Sequence, residues 1–386
     1  MNKLIYLDYN ATTPTDPRVL EEMLPYFNTH YYNPSSLYKS ARDCRKAIEQ
    51  ARIKVASLLG AEPSEIIFTA GGTEANNLAI KGVAFANKNK GNHIITSKIE
   101  HPAVLNPCRW LEQQGFKVTY LGVDKYGVLD LDELKNSITQ ETILITIMHA
   151  NNEVGTIQPI REISELAHSR GVYMHTDAVQ TVGKLPIQVK ELGIDLLSLS
   201  GHKFYGPKGI GALYIKKGTL LDPLIHGGHH EKNKRAGTEN VSGIIGLGKA
   251  CEIAQQEMGA ENKIKELRDK LLEGIKNEIP DVIFIGHPEQ RLASTLSICV
   301  KYVEGESMLM DLDAHGICAS SGSACASGTL DPSHVLIAIG ISQELAHSSL
   351  RISLGKHNTQ EEIDYVIQVF PRIVERLRAL SPFWKK

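Results

Sequence analysis

Between residues 65 and 200 the chain alternates short β-rich runs with longer stretches whose apolar residues recur every three or four positions. This alternation constrains the fold more than any other feature. Residues 65–69, 93–97, 117–123, 142–149, 172–179 and 196–200 read as strands. Before them, residues 40–59 carry Cys44, Ile48, Ala51, Val55 and Leu58 at helical spacing, one buried stripe. Residues 73–86 read as a helix. So do residues 159–170, which open on Pro159 and stop at Gly171. Strands with helices between them argue for an α/β fold with a mostly parallel, doubly wound sheet. Near residue 260 the texture changes. A charged helix (261–278), a strand (295–300), a helix (305–314), a small-residue loop (320–328), a helix (333–339), a strand (349–353) and a last helix (360–380) read as a smaller α+β unit.

Composition narrows the class. A chain of 386 residues with 42% hydrophobic and 22% charged residues can bury a large core. Its net charge of -2 gives no electrostatic footprint for nucleic acid or an anionic membrane. Residues 1–9 hold one lysine, a short apolar run and Asp8, unlike a signal peptide, and no apolar run has membrane-spanning length. A soluble, cytoplasmic protein is expected. The six cysteines (Cys44, Cys108, Cys251, Cys299, Cys318 and Cys325) include no C-x-x-C pair, so neither a disulfide framework nor a structural zinc site is expected.

Chemistry-bearing residues gather where strands end. Ser200-Gly201-His202-Lys203 follows the apolar run 195–199. A lysine just past a strand end can reach a ligand in the crevice at the sheet's carboxyl edge. A Schiff-base lysine needs such a desolvated place, although the tetrapeptide alone fits a surface turn equally well. Asp177, in His175-Thr176-Asp177-Ala178-Val179-Gln180, suits a cofactor whose pyridine nitrogen must stay protonated, or alternatively a helix N-cap. Gly71-Gly72-Thr73-Glu74 lies between strand and helix, where the backbone and the free N–H groups of a helix start can cradle a phosphate. His101, in Glu100-His101-Pro102-Ala103-Val104, could lie over a flat ring or cap a helix. Asn152, in Asn151-Asn152-Glu153, could contact a ring substituent.

In this order the motifs resemble the class V aminotransferase-type enzymes, which use pyridoxal 5'-phosphate, and within them the cysteine desulfurases of the NifS and IscS kind. The stretches that carry the resemblance are YLDYNATTP from Tyr6, NPSSLY from Asn33, FTAGGTEANNLAIKG from Phe68, EHPAV from Glu100, HANNEVGTIQPI from His149, HTDAVQTVGKLPI from His175, SGHKFYGPKGIGALY from Ser200, RAGTEN from Arg235, SSGSACASGTLDPSHVL from Ser320 and AHSSLRISLGK from Ala346. They cover nearly the whole chain. The resemblance implies the fold type I of pyridoxal-phosphate transferases. A large cofactor-binding domain would span residues 15–258, and residues 1–14 and 259–386 would form a small domain carrying the Cys325 loop.

The resemblance also implies roles. Lys203 would be the Schiff-base lysine and the base at the substrate Cα, with His101 stacked on the ring and active in acid–base steps. Asp177 would pair with the pyridine nitrogen, and Gln180 and Asn152 would contact the ring hydroxyl side. Gly72, Thr73, Ser200 and His202 would hold the phosphate, joined by Thr238 from a second subunit of a homodimer. Arg351 and Asn33 would bind the carboxylate of L-cysteine; the planar fork of arginine suits that task. Cys325, among small residues in Ser321-Gly322-Ser323-Ala324-Cys325-Ala326-Ser327-Gly328, would take the sulfur as a persulfide and leave alanine. The persulfide would pass to an iron–sulfur scaffold or another sulfur-acceptor protein, and Cys325 would then lie near a transferred iron–sulfur cluster. No resident metal is implied, and His226-Gly227-Gly228-His229-His230 lacks the acidic company of a metal site.

Selenocysteine lyase, another class V activity such as transamination, and a non-catalytic sulfur-relay subunit are the alternatives. The thiol-bearing loop disfavours the first two, and Lys203, Asp177, His101 and Arg351 together disfavour the last. Some positions depart from the family pattern. Tyr32 stands where relatives usually have glycine, Ala326 replaces a common threonine or serine, and Cys318 is an additional thiol. The chain stops soon after Ser381-Pro382-Phe383-Trp384, without the C-terminal extension that IscS-type members use to dock a scaffold, so that docking mode is not expected.

Overall fold

The computed structural model describes residues 4–321, 331–382 and 384. The chain begins with strand β1 (Ile5–Tyr6) and helices α1 (Pro17–Met23), α2 (Pro25–Asn28) and α3 (Lys39–Leu59). Helix α3 buries Cys44, Ile48, Ala51, Val55 and Leu58, the stripe its spacing predicts. The alternating region follows: β2 (Ile66–Thr69), α4 (Gly72–Asn87), β3 (His93–Ser97), α5 (Pro102–Gln113), β4 (Lys117–Leu121), α6 (Leu131–Ser137), β5 (Thr142–Thr146), α7 (Ile160–Ser169), β6 (Tyr173–Asp177), β7 (Leu196–Ser200), β8 (Gly211–Ile215) and α8 (Val241–Gln256).

Seven of these strands form one sheet in the order β2-β8-β7-β6-β5-β3-β4. The pairs among β3, β4, β5, β6 and β7 are parallel, while β8 is antiparallel to both β7 and β2. All strands except β8 therefore point the same way, and their carboxyl ends share one edge. Strands β2, β5, β7 and β8 are buried at every position, as a sheet covered on both faces requires.

The fold departs from the sequence reading in instructive ways. Strand β5 stops at Thr146 and β6 at Asp177, short of the apolar runs that predict them. Beyond those points side chains interrupt the backbone ladder: Met148 N donates to Glu100 Oε1 and Val179 N to Asp177 Oδ1, between the Ile147, His149 and Ala178 N–H groups that still donate to neighbouring backbone carbonyls. The residues so released enter the crevice. Helix α8 has no clear sequence signal because glycines interrupt its pattern. The glycines are there for close approach, since a Cβ on Gly248 would stand 2.7 Å from Ala51 Cα of α3.

The remaining elements are α9 (Glu261–Glu278), β9 (Val282–Ile285), β10 (Thr295–Val300), α10 (Gly305–Ala314), β11 (Ile317–Cys318), α11 (His334–Ala338), α12 (Gln343–Ala346), β12 (Ser349–Ser353) and α13 (Gln360–Leu380). Strands β12, β10 and β9 form an antiparallel sheet in that order, and β1 pairs in parallel with β11. Leu271 of α9, Ile298 of β10, and Phe370 and Ile373 of α13 share a core with Ile5 and Leu7 from the other end of the chain. Helix α13 opens on a capping box: Thr359 accepts from Glu362 N, and the Glu362 carboxylate accepts from Thr359 N.

One ion pair fastens the segment before α8 to the large sheet. Arg52 of α3 donates to both carboxylate oxygens of Glu231 at 2.8 Å and to the Ile66 carbonyl at 2.9 Å. Glu231 also accepts from Phe68 N, and both side chains are 5% exposed. Replacing Arg52 by Met strands a buried carboxylate, and should cost about 3–5 kcal/mol in urea unfolding. Adding Glu231→Leu should restore most of that loss. A single-variant loss under about 1 kcal/mol would show that the pair is dispensable.

Candidate active site

The common edge of the parallel strands is where functional side chains converge. After β2 come Gly71 and Gly72, and after β3 come Glu100 and His101. Residues 148–152 follow β5, Asp177 to Gln180 follow β6, and Ser200 to Lys203 follow β7. They surround a cavity of about 290 Å³, near the lower bound of small-molecule sites. Gly72, Thr73, His101, Asn152 and Asp177 line it, as do Gln180, Ser200, His202, Lys203 and Arg351.

The Lys203 ammonium donates to the carbonyls of Asn10 and Ala11 at 2.7 and 2.8 Å. Asp177 is buried, with Oδ2 accepting from Asn76 Nδ2 at 2.6 Å and Oδ1 accepting from Val179 N at 3.0 Å. Gln180 donates through Nε2 to the Asn10 carbonyl and accepts at Oε1 from the Lys184 ammonium. His101 caps α5: its Nδ1 accepts from Ala103 N, so the neutral ring carries its proton on Nε2. Burial holds the His101 pKa below the usual histidine value, against the pull of Asp177 and with help from the Lys203 charge. Burial, aided by Lys203 and Lys208, also pushes His202 down to about 4. Both imidazoles are therefore neutral at pH 7.

Arg351 reaches the same cavity from β12. It is 3% exposed, donates from Nη2 to Asp8 Oδ1 at 2.7 Å and from Nη1 to the Asn152 carbonyl at 3.2 Å. Two of the residues singled out in the sequence, Asn33 and Thr238, are not brought into this cavity. Asn33 is exposed, and its Oδ1 accepts from Ser35 N. Thr238 is exposed, three residues before α8. Cys325 lies outside the described residues.

The wall also contains residues that the motifs did not single out. Asn76 stands one helical turn after Gly72 on α4, and that i,i+4 spacing is a signal from which it could have been found. Asn10 enters through its backbone carbonyl, which no side-chain pattern reveals.

The donor set fits pyridoxal phosphate. A buried carboxylate stands ready for a pyridinium N–H, and a strand-end amine faces the same space. Gly71 has φ 151°, and a Cβ on Gly72 would come 2.6 Å from Val179 Cγ2, so only glycine lets the start of α4 approach this closely. Ser200, Thr73 and the first N–H groups of α4 are suited to a phosphate there. Among the described residues there is no group of three or more His, Cys, Asp or Glu side chains able to hold a metal ion. In the His226 segment, His229 Nδ1 pairs with Asn233 Oδ1 and His230 Nδ1 accepts from Gly237 N.

The family model for aminotransferase class V matches residues 5–366. The cysteine desulfurase IscS of Methanosarcina thermophila is 57% identical over 386 residues, covering 100% of this chain and 95% of that protein. A solved NifS-like protein superposes with a TM-score of 0.92 at 41% identity, covering 97% of this chain and all of that one. A structure described as SspA in complex with cysteine gives a TM-score of 0.81 at 41% identity, over 92% of this chain and all of that one.

Glu100, beside His101, is fully buried. Its Oε1 accepts from Ser97 Oγ at 2.7 Å and from Met148 N at 2.9 Å, while its Oε2 has no partner among the described residues. Burial above all raises its pKa from 4.5 to about 8. The folded chain thus holds a proton that the unfolded chain releases near pH 4.5. The resulting stability is fully present below that pH and is lost as pH rises through about 8. Glu100→Gln keeps the shape and removes the titration. Between pH 5 and 9 the variant should gain roughly 1–3 kcal/mol on the parent in denaturant unfolding. A difference that stays flat across this range would mean that Glu100 is ionised throughout.

Proposed function

The chain belongs to the class V aminotransferase family, and from that premise we propose how its residues perform the family's chemistry on L-cysteine. It is a pyridoxal-phosphate-dependent cysteine desulfurase, a transferase that takes sulfur from cysteine and leaves alanine. The observation that carries this reading is the convergence of Lys203, Asp177 and Arg351 on one cavity. It unites an amine, a carboxylate for a pyridinium and a guanidinium for an amino acid's carboxylate.

Pyridoxal phosphate, once bound, supplies an electron sink for the bonds around the substrate's Cα. The protein's part is binding, orientation and proton movement. Gly72, Thr73, Ser200 and His202 would hold the phosphate, and Asp177 would hold a proton on the pyridine nitrogen. Gln180 and Asn152 would contact the ring hydroxyl. Arg351 takes the substrate carboxylate and thereby aims the Cα–H bond at the Lys203 amine, which removes that proton. His101, neutral with its proton on Nε2, would serve proton transfer beside the bound cofactor. The Cys325 thiolate attacks the sulfur of the substrate, so an S–S bond forms as the substrate's C–S bond breaks. Protons from the site complete alanine, and Cys325 is left as a persulfide. Atoms balance without an external oxidant: cysteine and one thiol become alanine and one persulfide.

Two copies of the chain complete this site, with Thr238 of one reaching the phosphate of the other. The protein works in the cytoplasm and passes the persulfide to an iron–sulfur scaffold or another sulfur-acceptor protein. Support for the dimer comes from Thr238, which is exposed and outside the cavity of its own chain. For the location, no helix among the described residues is long and apolar enough to cross a membrane.

Cys325→Ala tests the sulfur step. The variant should retain the bound cofactor's visible absorbance and respond to added cysteine, yet release sulfur about a hundredfold more slowly or worse. Cys318→Ala should be nearly neutral. Mass spectrometry after one turnover should find one added sulfur on the parent's Cys325 peptide. Desulfuration at the parent rate by Cys325→Ala would overturn the assignment and favour a lyase that needs no protein persulfide.

The dimer reading has its own check. Lys203→Ala and a bulky replacement of Thr238 should each be inactive, and mixing the two chains should recover part of the activity in heterodimers. A fully active monomer in sedimentation would end this reading.

A further inference from the structure

We propose that Asp8 is a resident counter-ion that limits how tightly Arg351 grips an amino acid's carboxylate, and so favours release of alanine. The inference rests on the reading of Arg351 as the carboxylate clamp. It adds a residue that tunes that clamp.

The geometry is specific. Arg351 lines the cavity with its guanidinium already engaged on two sides: Nη2 donates to Asp8 Oδ1 at 2.7 Å, and Nη1 donates to the Asn152 carbonyl at 3.2 Å. Its Nε is buried without a partner among the described residues. A buried donor left unmet is costly, and a carboxylate entering the cavity would meet it. The guanidinium thus has donors left to offer a ligand, but a share of its charge is already balanced.

Asp8 is held firmly in that position. It pairs with Ser353, two residues after Arg351, in a parallel bridge. The backbone on either side is fixed by Leu7 N to the Cys318 carbonyl at 2.8 Å, Ser353 N to the Leu7 carbonyl at 2.8 Å and Tyr9 N to the Ser353 carbonyl at 3.2 Å. Its side chain is 19% exposed, so water screens it only in part. The backbone cannot swing Asp8 aside when a ligand arrives. Two carboxylates must then share one guanidinium, and their mutual repulsion weakens binding of the second. Cysteine and alanine carry the same α-carboxylate, so Asp8 acts on both alike. That is uniform binding, which changes KM and product release rather than the chemical step.

The test uses the holoenzyme. Asp8→Asn keeps an oxygen that can accept from Nη2, and so keeps Arg351 oriented, while removing the charge. Titration calorimetry with alanine should give a Kd about three- to tenfold lower than the parent's, and KM for cysteine should fall by a similar factor with kcat no higher. Asp8→Ser, equally neutral and smaller, should shift both constants the same way and carries the comparison if the amide variant does not fold. Alanine bound equally or more weakly by the folded neutral variants would overturn the proposal and leave Asp8 as a strut for Arg351. Arg351→Gln separates the two levels of the argument. If that variant binds alanine as the parent does, the carboxylate clamp itself is wrong.

Discussion

The site depends on a hydrogen-bonded crossing at Asn10. Residues Ile5 and Leu7 belong to the core built by α9, β10 and α13, yet three residues later the chain lies under Lys203 in the large sheet's crevice. Asn10 ties the parts together. Its N–H donates to Ser353 Oγ, and its side-chain amide donates to Thr295 Oγ1 and to the Asn152 carbonyl. Its carbonyl accepts from both Gln180 and Lys203. One residue thus fixes the amine of β7's end, the amide after β6 and the strands of the small sheet relative to each other. Arg351 and Lys203, which face one cavity, are flanked by residues of different cores. Their separation is therefore only as well defined as this crossing and the ion pair of Lys356 with Asp16 at 2.7 Å.

Burial sets the electrostatics of the crevice. The imidazoles that face the cavity are kept neutral, and Glu100 behind them keeps its proton. The formal charges that remain on the wall are those of Asp177, Lys203 and Arg351, each with a hydrogen-bond partner. That arrangement leaves charge where a zwitterionic amino acid and a protonated ring would meet it, and removes it elsewhere. In a low-dielectric setting such selectivity matters, because each uncompensated charge would cost more than a neutral donor or acceptor.

Much of this was legible in the sequence because the site is built at strand ends. A parallel strand is a short apolar run, and the polar residue that ends the run must sit at the sheet's edge. Asp177, Lys203 and His101 were read that way, as were the helix starts after Gly72 and Pro102. The strand and helix limits at 93–97, 196–200, 261–278, 295–300 and 360–380 match the structure residue for residue. What the sequence concealed follows from physics that leaves no periodic trace. Strand β8 is brief and enclosed by glycines, so its antiparallel insertion between β2 and β7 is a tertiary choice. The Asn10 carbonyl acts through backbone, and Asp8 acts through a partner 343 residues away.

The chain flanking residues 322–330 is pinned by groups that line or adjoin the cavity. On one side, Ser320 and Arg351 exchange backbone hydrogen bonds at 2.7 and 3.1 Å, so the strand that carries Arg351 into the cavity also holds the chain at this end. On the other side, Ser333 donates to the Glu153 carboxylate at 2.5 Å, and His334 Nε2 donates to the Glu100 carbonyl at 2.9 Å. Glu153 follows β5 and Glu100 follows β3, so these anchors sit on the edge that carries Asn152 and His101. Burial raises the Glu153 pKa to about 7, against the Ser333 hydrogen bond and the Arg351 charge. The proton on Glu153 is therefore poised near neutral pH between Arg351 and the Ser333 anchor. A displacement of Arg351 or of either strand end would move the ends of this segment with it. The cavity wall and the two anchors of this segment are therefore mechanically one unit in this fold, although their residues lie far apart in the chain.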